Sequence, residues 1–183
     1  LAHGIHIDDG EMKVLGSAGT GVAHCPSSNA RIAAGMCRVT DLIGAGIPVG
    51  LGVDGVASNE VGGLFPEMRQ ALYTARLREM RPDALMPEEV LAIATQGGSR
   101  CLGMQNSGTL EIGQNADIAV WPGSDIADIR NAIDGLVLGP DRRAKHVLVS
   151  GNLVVEDGQV LGTDLPKAHE DLAKHARRIW KYN

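Results

Sequence analysis

Apolar residues fall into two patterns along the chain. In the first, short runs carry no polar alternation, as in "GVAHCP" (Gly21 to Pro26) and "IPVGLGVD" (Ile47 to Asp54). Strands covered on both faces, as in parallel sheets packed under helices, read this way. Leu1-Ala2-His3 has the character of another such strand end. In the second pattern apolar residues recur every three or four positions, marking one face of a helix. Met12, Val14, Leu15 and Ala18 do so after a capping Asp8 or Asp9, until Gly19. A polar loop is expected over "SSNAR" (Ser27 to Arg31), then a helix from about Val39 to Ala45, stopped by Gly46. Strand and helix thus alternate at a spacing of roughly 20 to 30 residues, the size of a βα step.

Further along, Leu64, Met68, Leu72 and Ala75 mark one face of a longer helix. Pro87 opens another, with Glu88 and Glu89 in the first turn, where carboxylates suit the helix dipole. Gly97 and Gly98 are expected to interrupt it. After Gly108 the character changes. "GTLEIGQNADIAVWPG" has short apolar runs separated by glycines, and "HVLVSGNLVVEDGQVL" predicts two or three antiparallel strands. Their turns fall at Ser150-Gly151-Asn152 and Asp157-Gly158. From Pro166 an amphipathic helix is expected, with Leu172, Ala176 and Ile179 on one face and Lys174, Arg177, Arg178 and Lys181 near its end. The expected organisation is an α/β segment over 1–107, a small β segment over 108–164 and a terminal helix over 165–183.

Composition narrows the class. The chain has 183 residues, 44% of them hydrophobic but only 3% aromatic, so its core must be aliphatic. The formal net charge of −5 argues against a nucleic-acid or anionic-membrane binder. Cys25, Cys37 and Cys101 are few, odd in number and form no CxxC pair. A disulfide framework is not expected, and a reducing cytoplasm is the default. No apolar run reaches the roughly 18 residues of a membrane helix. The chain opens on Leu-Ala-His in what reads as a strand end; the expectation is that an amino-terminal part precedes it.

His3, His24 and Asp54 each stand at a strand end. In a parallel barrel all strands open on one face, which holds the active site, so these residues can converge. Each alone has a plainer reading: a strand-end His braces structure, and an Asp before Gly caps a turn. Together they suit a divalent metal, which brings the pKa of bound water to about 7. Asp54 could bind the ion and pass a proton, and a neutral His3 could orient the reacting oxygen. Catalytic sites usually have at least three protein ligands, so others must come from elsewhere.

"LAHGIH", "VAHCPSSNARIAAG" and "VGLGVDGVASN" followed by "FPEMRQAL" resemble the amidohydrolase superfamily, in its branch of ring deaminases and chlorohydrolases. "GTLEIGQNADIAVW" resembles the strand pair by which these proteins return to their small β domain. The resemblance implies the carboxyl-terminal part of a (β/α)8 TIM-type barrel, followed by a small β-sandwich portion and a terminal helix. It implies zinc or iron held by a His-x-His pair on the first strand, a His on the fifth and an Asp on the eighth. Asp54 matches the last of these. His3 matches a sixth-strand histidine that contacts the hydrolytic water and the substrate, and Ser58 a position that contacts substrate in some members. His24 and Asn29 match the seventh-strand "HCPxSN" segment, with a structural or pocket-lining role. The His-x-His pair and the fifth-strand His are absent, which implies a chain covering about the carboxyl-terminal half.

Within the branch, "HGIH", "HCPSSN" and "LGVDG" look most like the 8-oxoguanine deaminases. That implies conversion of 8-oxoguanine to urate and ammonia, with guanine, cytosine or triazine hydrolysis as alternatives. A small heterocyclic substrate and a homo-oligomer at full length are the implied partners. A non-catalytic α/β module, in which these residues only brace turns, is the rival of another class. A Rossmann domain needs a glycine-rich turn after its first strand, and none is visible. "GSAGTG" lacks a P-loop Lys-Ser/Thr and follows a helix, so it is no phosphate loop.

The other candidates have structural readings. His6 is expected to brace the turn after His3, and Cys25 and Cys37 to be small buried fillers. Arg31 and Arg38 could meet an anionic ring oxygen or lie solvated. Glu67 and Arg69 are expected as partners on a helix surface. His146, His169 and His175 belong to the small domain and terminal helix.

Overall fold

A computed structural model describes residues 1–123 and 131–182. Residues 124–130 of the expected β segment, and Asn183 of the terminal helix, lie outside that description. The chain divides into two compact units: Leu1–Gln114 with Gly123–Arg142, and Asn115–Pro122 with Arg143–Asn183. Both helices and strands are present, giving a mixed α/β molecule.

The first unit begins with α1 (Asp9–Ala18), β1 (Val22–His24), α2 (Pro26–Arg31), α3 (Val39–Gly44) and β2 (Val49–Leu51). Asp8 and Glu11 form a capping box on α1, each side chain accepting from the other's backbone N–H at 2.8 and 2.9 Å. β1 and β2 are parallel, with Val22 opposite Val49 and His24 opposite Leu51. Ala2 adds a parallel bridge to Ala23. Val22 and Val49 pack into one core with Met12 of α1 and Leu42 of α3. Parallel strands send their carboxyl ends the same way, so the residues that follow them share one edge.

Ser27–Arg31 is helical rather than the expected loop. Pro26 sits in the first turn of α2, where its missing N–H leaves nothing unpaired. Ser and Asn disfavour helix interiors because their side chains compete for local backbone. Here Ser28 and Asn29 are buried and bond instead to side chains at other strand ends.

α4 (Leu64–Glu79) buries Glu67, Met68, Ala71, Leu72 and Ala75, while Leu64 is 44% exposed, so the buried stripe begins one turn later than expected. α5 (Pro87–Ala92), a π turn at Ile93–Gly97 and α6 (Gly98–Cys101) follow without a break. Gly97 and Gly98 keep helical φ and ψ, against the expectation that they interrupt the helix. They serve close approach: a Cβ on Gly97 would lie 1.9 Å from the Val49 carbonyl oxygen. A Cβ on Gly50 would lie 2.9 Å from the Gly98 Cα. The helix backbone therefore rests directly on β2. α7 (Ala132–Leu138) belongs to this unit too, with Val137 fully buried in the same core.

The second unit is an antiparallel sheet in the order β3 (Ile118–Val120), β4 (His146–Val149), β5 (Asn152–Glu156), β6 (Gln159–Val160). Its tight turns have positive φ at both central residues, 49° and 80° at Ser150-Gly151 and 46° and 77° at Asp157-Gly158. That backbone matches the right-handed strand twist. α8 (Leu165–Ile179) ends the chain with Trp180–Tyr182, and Asp164 caps it by accepting from the Lys167 N–H at 3.0 Å. Leu172 and Ile179 on its apolar face are exposed. Among the described residues no helix is long and apolar enough to cross a membrane.

Candidate active site

His3 follows the Ala2 bridge directly and is held there by its backbone N–H, which donates to the Ala23 carbonyl at 2.8 Å. Asp54 lies three positions beyond β2. Both have positive φ, 67° and 63°, a backbone state uncommon outside glycine and enriched where function constrains geometry. The two side chains meet: His3 Nε2 lies 3.9 Å from Asp54 Oδ2, each about one-third exposed.

Three donors converge on the carboxylate. The Ser28 hydroxyl donates to Oδ2 at 2.5 Å, the Ser58 hydroxyl to Oδ2 at 2.9 Å and the Gly55 N–H to Oδ1 at 2.8 Å. The Ser28 hydrogen bond is the largest cause that holds Asp54 down at about 2, followed by Gly55, Ser58 and the nearby His3. Bonds to the charged form favour it, so Asp54 is ionised throughout the neutral range. His3 is oriented from its other side, with Nδ1 2.8 Å from the Asn29 amide oxygen. An amide oxygen only accepts, so this contact uses Nδ1–H as its donor.

Behind this pair sits a carboxylate that sequence reasoning placed on a helix surface. Glu67 is fully buried. It accepts from the Asn59 Nδ2 at 2.8 Å and from the Ser27 N–H at 3.1 Å. Asn59 Nδ2 also donates to the Val53 carbonyl at 2.8 Å. Glu67 thus clamps the start of α2 to the loop that carries Asp54 and Ser58. Arg69 is not its partner: it bonds the Gly139 carbonyl and pairs with Asp141. A signal for Glu67 existed, because it falls four positions before Ala71 on the stripe that α4 buries. Ser28 had a weaker one, as part of the "HCPSSN" motif.

His24 is buried, but it does not join His3 and Asp54. It is 2% exposed, neither ring nitrogen has a hydrogen-bond partner among the described residues, and desolvation, then the nearby His3, pushes it down to about 4. Arg31 forms a forked pair with Glu60, while Arg38 bonds Asp41 and Asp9, so both engage carboxylates of this chain. Cys25 and Cys37 are buried free thiols, as expected of fillers, and burial pushes Cys37 up to about 12. His6 is exposed. His146 lies on β4 and His169 and His175 on α8, all in the second unit.

Asp54 Oδ1 accepts one hydrogen bond and keeps a lone pair that suits a cation. Among the described residues, no group of three or more His, Cys, Asp or Glu could hold a metal ion. The Asp54 carboxylate suits one position of a ligand set and does not complete one.

The description of the amidohydrolase family matches residues 1–154. The chain belongs to that family. It is 44% identical over 167 residues to the 8-oxoguanine deaminase of Pseudomonas aeruginosa, an alignment covering 90% of this chain and 37% of that protein. Among solved structures it is similar to an adenosine deaminase from Xanthomonas campestris with bound zinc, at a TM-score of 0.92 and 26% identity. That match covers 97% of this chain and 42% of the other. The zinc complex of the atrazine chlorohydrolase TrzN from Arthrobacter aurescens TC1 superposes at a TM-score of 0.88 with 31% identity, over 95% of this chain and 40% of the other. The chain thus spans about two-fifths of the length of these relatives, and within the family its likeness is to ring deaminases and chlorohydrolases.

Proposed function

We propose that this chain supplies part of the active site of a hydrolytic deaminase acting on a purine-like ring, with 8-oxoguanine, giving urate and ammonia, as the first substrate to test. The observation that carries the reading is the facing pair His3 Nε2 and Asp54 Oδ2, 3.9 Å apart, on a carboxylate that three donors keep ionised. The 44% identity to an 8-oxoguanine deaminase supports the choice of ring. The first unit is read as the carboxyl-terminal part of a (β/α)8 barrel, whose strand ends form the site.

Asp54 would be one ligand of a divalent cation, zinc by analogy with the zinc-bound relatives and iron as the alternative, with the other ligands outside the described residues. Such a cation makes hydrolytic water available near neutral pH. Asp54 would take a proton from the attacking water and return it to the departing nitrogen. Ser28 and Ser58 hold the carboxylate in one rotamer while it does so. His3 orients the attacking oxygen through Nε2, its ring fixed by Asn29. Ser58, half-buried at the rim, is placed to touch the substrate as well as Asp54.

The test is ammonia release by the protein purified at its natural length, from 8-oxoguanine, guanine, cytosine, adenosine, isoxanthopterin and aminotriazines. Release from 8-oxoguanine above the rest supports the reading, and release from none overturns it. Chloride release from atrazine is the specific outcome that would favour a chlorohydrolase instead.

A further inference from the structure

Glu67 holds three residues, directly or through Asn59, and each stands next in the chain to a group that forms the Asp54 site. Ser28 and Ser58 donate to Asp54 Oδ2 at 2.5 and 2.9 Å. Ser27, one position before Ser28, donates its N–H to Glu67 Oε2 at 3.1 Å. Asn59, one position after Ser58, donates Nδ2 to Glu67 Oε1 at 2.8 Å. The same nitrogen donates at 2.8 Å to the carbonyl of Val53, one position before Asp54. A carbonyl and a carboxylate accept, so it is the Asn59 nitrogen that faces them. All of these residues belong to the first unit.

Asp54 needs such a frame. It lies in the segment connecting β2 to α4 with a φ of 63°. Outside glycine that backbone state costs about 1–3 kcal/mol and persists only where the surroundings over-determine it. Local bonds shape the turn, with the Ser58 and Asn59 N–H groups both donating to the Gly55 carbonyl at 3.0 Å. Glu67, fully buried on α4, ties that turn to α2 from a third element. A peptide plane is rigid and sets neighbouring Cα atoms about 3.8 Å apart. Holding residues 27, 53 and 59 around one carboxylate therefore limits where 28, 54 and 58 can lie. We propose that Glu67 is a positioning residue: it keeps the two serine hydroxyls and the Asp54 backbone in register, so that the Asp54 carboxylate stays bonded to both hydroxyls in a single rotamer. The kinetic consequence rests on the role proposed for Asp54 above; the geometric one does not.

The test uses the protein purified at its natural length and its Glu67→Gln variant, which keeps the size of the side chain but sets two donors against each other at one of its contacts. In crystal structures, Asp54 is expected in one conformer bonded to both serines in the wild type. In Glu67→Gln it should be released from at least one hydroxyl or occupy more than one conformer. With that, kcat falls about 10–100-fold, as for a misplaced reacting group, and KM changes less. In a Ser28→Ala/Ser58→Ala background the donors that Glu67 aligns are gone, so Glu67→Gln should lower kcat by a further factor of about two or less, while its loss of stability in urea remains. An unmoved Asp54 carboxylate in a folded Glu67→Gln protein overturns the inference, as does an equal fold-loss of kcat in both backgrounds. If Glu67→Gln does not fold, Asn59→Ala, which breaks the links to Glu67 and Val53 and leaves the one to Ser27, is read in the same way. Absence of ammonia release from the wild type, with Asp54 displaced in the variant, would sink the deaminase reading and leave the positioning role of Glu67 standing.

Discussion

Asn59 donates its side-chain amide to the Glu67 carboxylate at 2.8 Å, and neither side chain is exposed. The bond joins the first turn of α4 to the loop that presents Asp54, and Glu67 extends it to the start of α2 through the Ser27 N–H. A fully buried carboxylate is tolerated only with such partners, because burial alone strongly disfavours the charge.

Glu67→Ala leaves the Asn59 and Ser27 donors without their acceptor. Each hydrogen bond to a charged group is worth about 1.5–3 kcal/mol, so a loss of about 3–6 kcal/mol is expected in urea unfolding. Glu67→Gln keeps one acceptor toward Asn59 but turns N–H groups on Ser27, and should fall between wild type and Ala. Unchanged stability in both would remove Glu67 as the clamp.

Asp54→Ala is expected to abolish turnover and to weaken metal retention, read by elemental analysis after dialysis. His3→Ala should lower kcat by about 10²–10⁴, the range for a lost acid–base or orienting group, with metal content little changed. Loss of the metal from His3→Ala would make His3 a ligand rather than an orienting residue.

Ser28→Ala removes the largest of the bonds that hold Asp54 at about 2, so the carboxyl should titrate closer to its ordinary value of 3.8. A carboxylate with a lowered folded value stabilises the fold fully above its unfolded value, and loses that contribution as pH falls through the folded one. Wild type should keep the Asp54 contribution down toward pH 2, and Ser28→Ala should lose it earlier. Carboxyl ¹³C shifts followed against pH read the change, and Ser58→Ala should move it in the same direction by less.

His24, at the end of β1, sets a second acid limit. Its folded value of about 4 lies below its unfolded 6.5, so the unfolded chain takes up the proton first. Stability is therefore complete above about pH 6.5 and declines as pH falls toward 4, by an amount of order 1–3 kcal/mol. His24→Gln, which does not titrate, should flatten the unfolding free energy over that interval. An unchanged slope would show that His24 is protonated alike in both states.

Gly97→Ala places a methyl 1.9 Å from the Val49 carbonyl oxygen, a contact no local adjustment relieves. The helix must lift from β2, and a drop in melting temperature of several degrees is expected. Gly98→Ala, which meets nothing within 4 Å, should be nearly neutral and serves as the control.

Local pattern carried much of this molecule. Unalternated runs marked β1 and β2, Gly19 ended α1, Pro87 opened α5, and the Ser150-Gly151 and Asp157-Gly158 turns placed the antiparallel strands. Each depends on residues within a few positions of one another, which is why composition and spacing reveal it. His3 and Asp54 were legible as strand-end residues, and their family motifs made them candidates.

The chain alone did not disclose that Ser28 reaches Asp54 from 26 positions away, that Glu67 is buried under the site loop from 40 positions beyond Ser27, or that Gly97 and Gly98 press on β2. Those facts depend on which faces meet after folding, and a Ser, a Glu or a Gly has the same local preferences wherever its neighbours lie. Sequence by itself determined most of the elements and which side chains were candidates, because periodicity, turn residues and motifs are short-range. Only the tertiary structure decided their partners, hence which carboxylate is poised and which is a clamp, because burial and hydrogen bonding are set by residues distant in the chain.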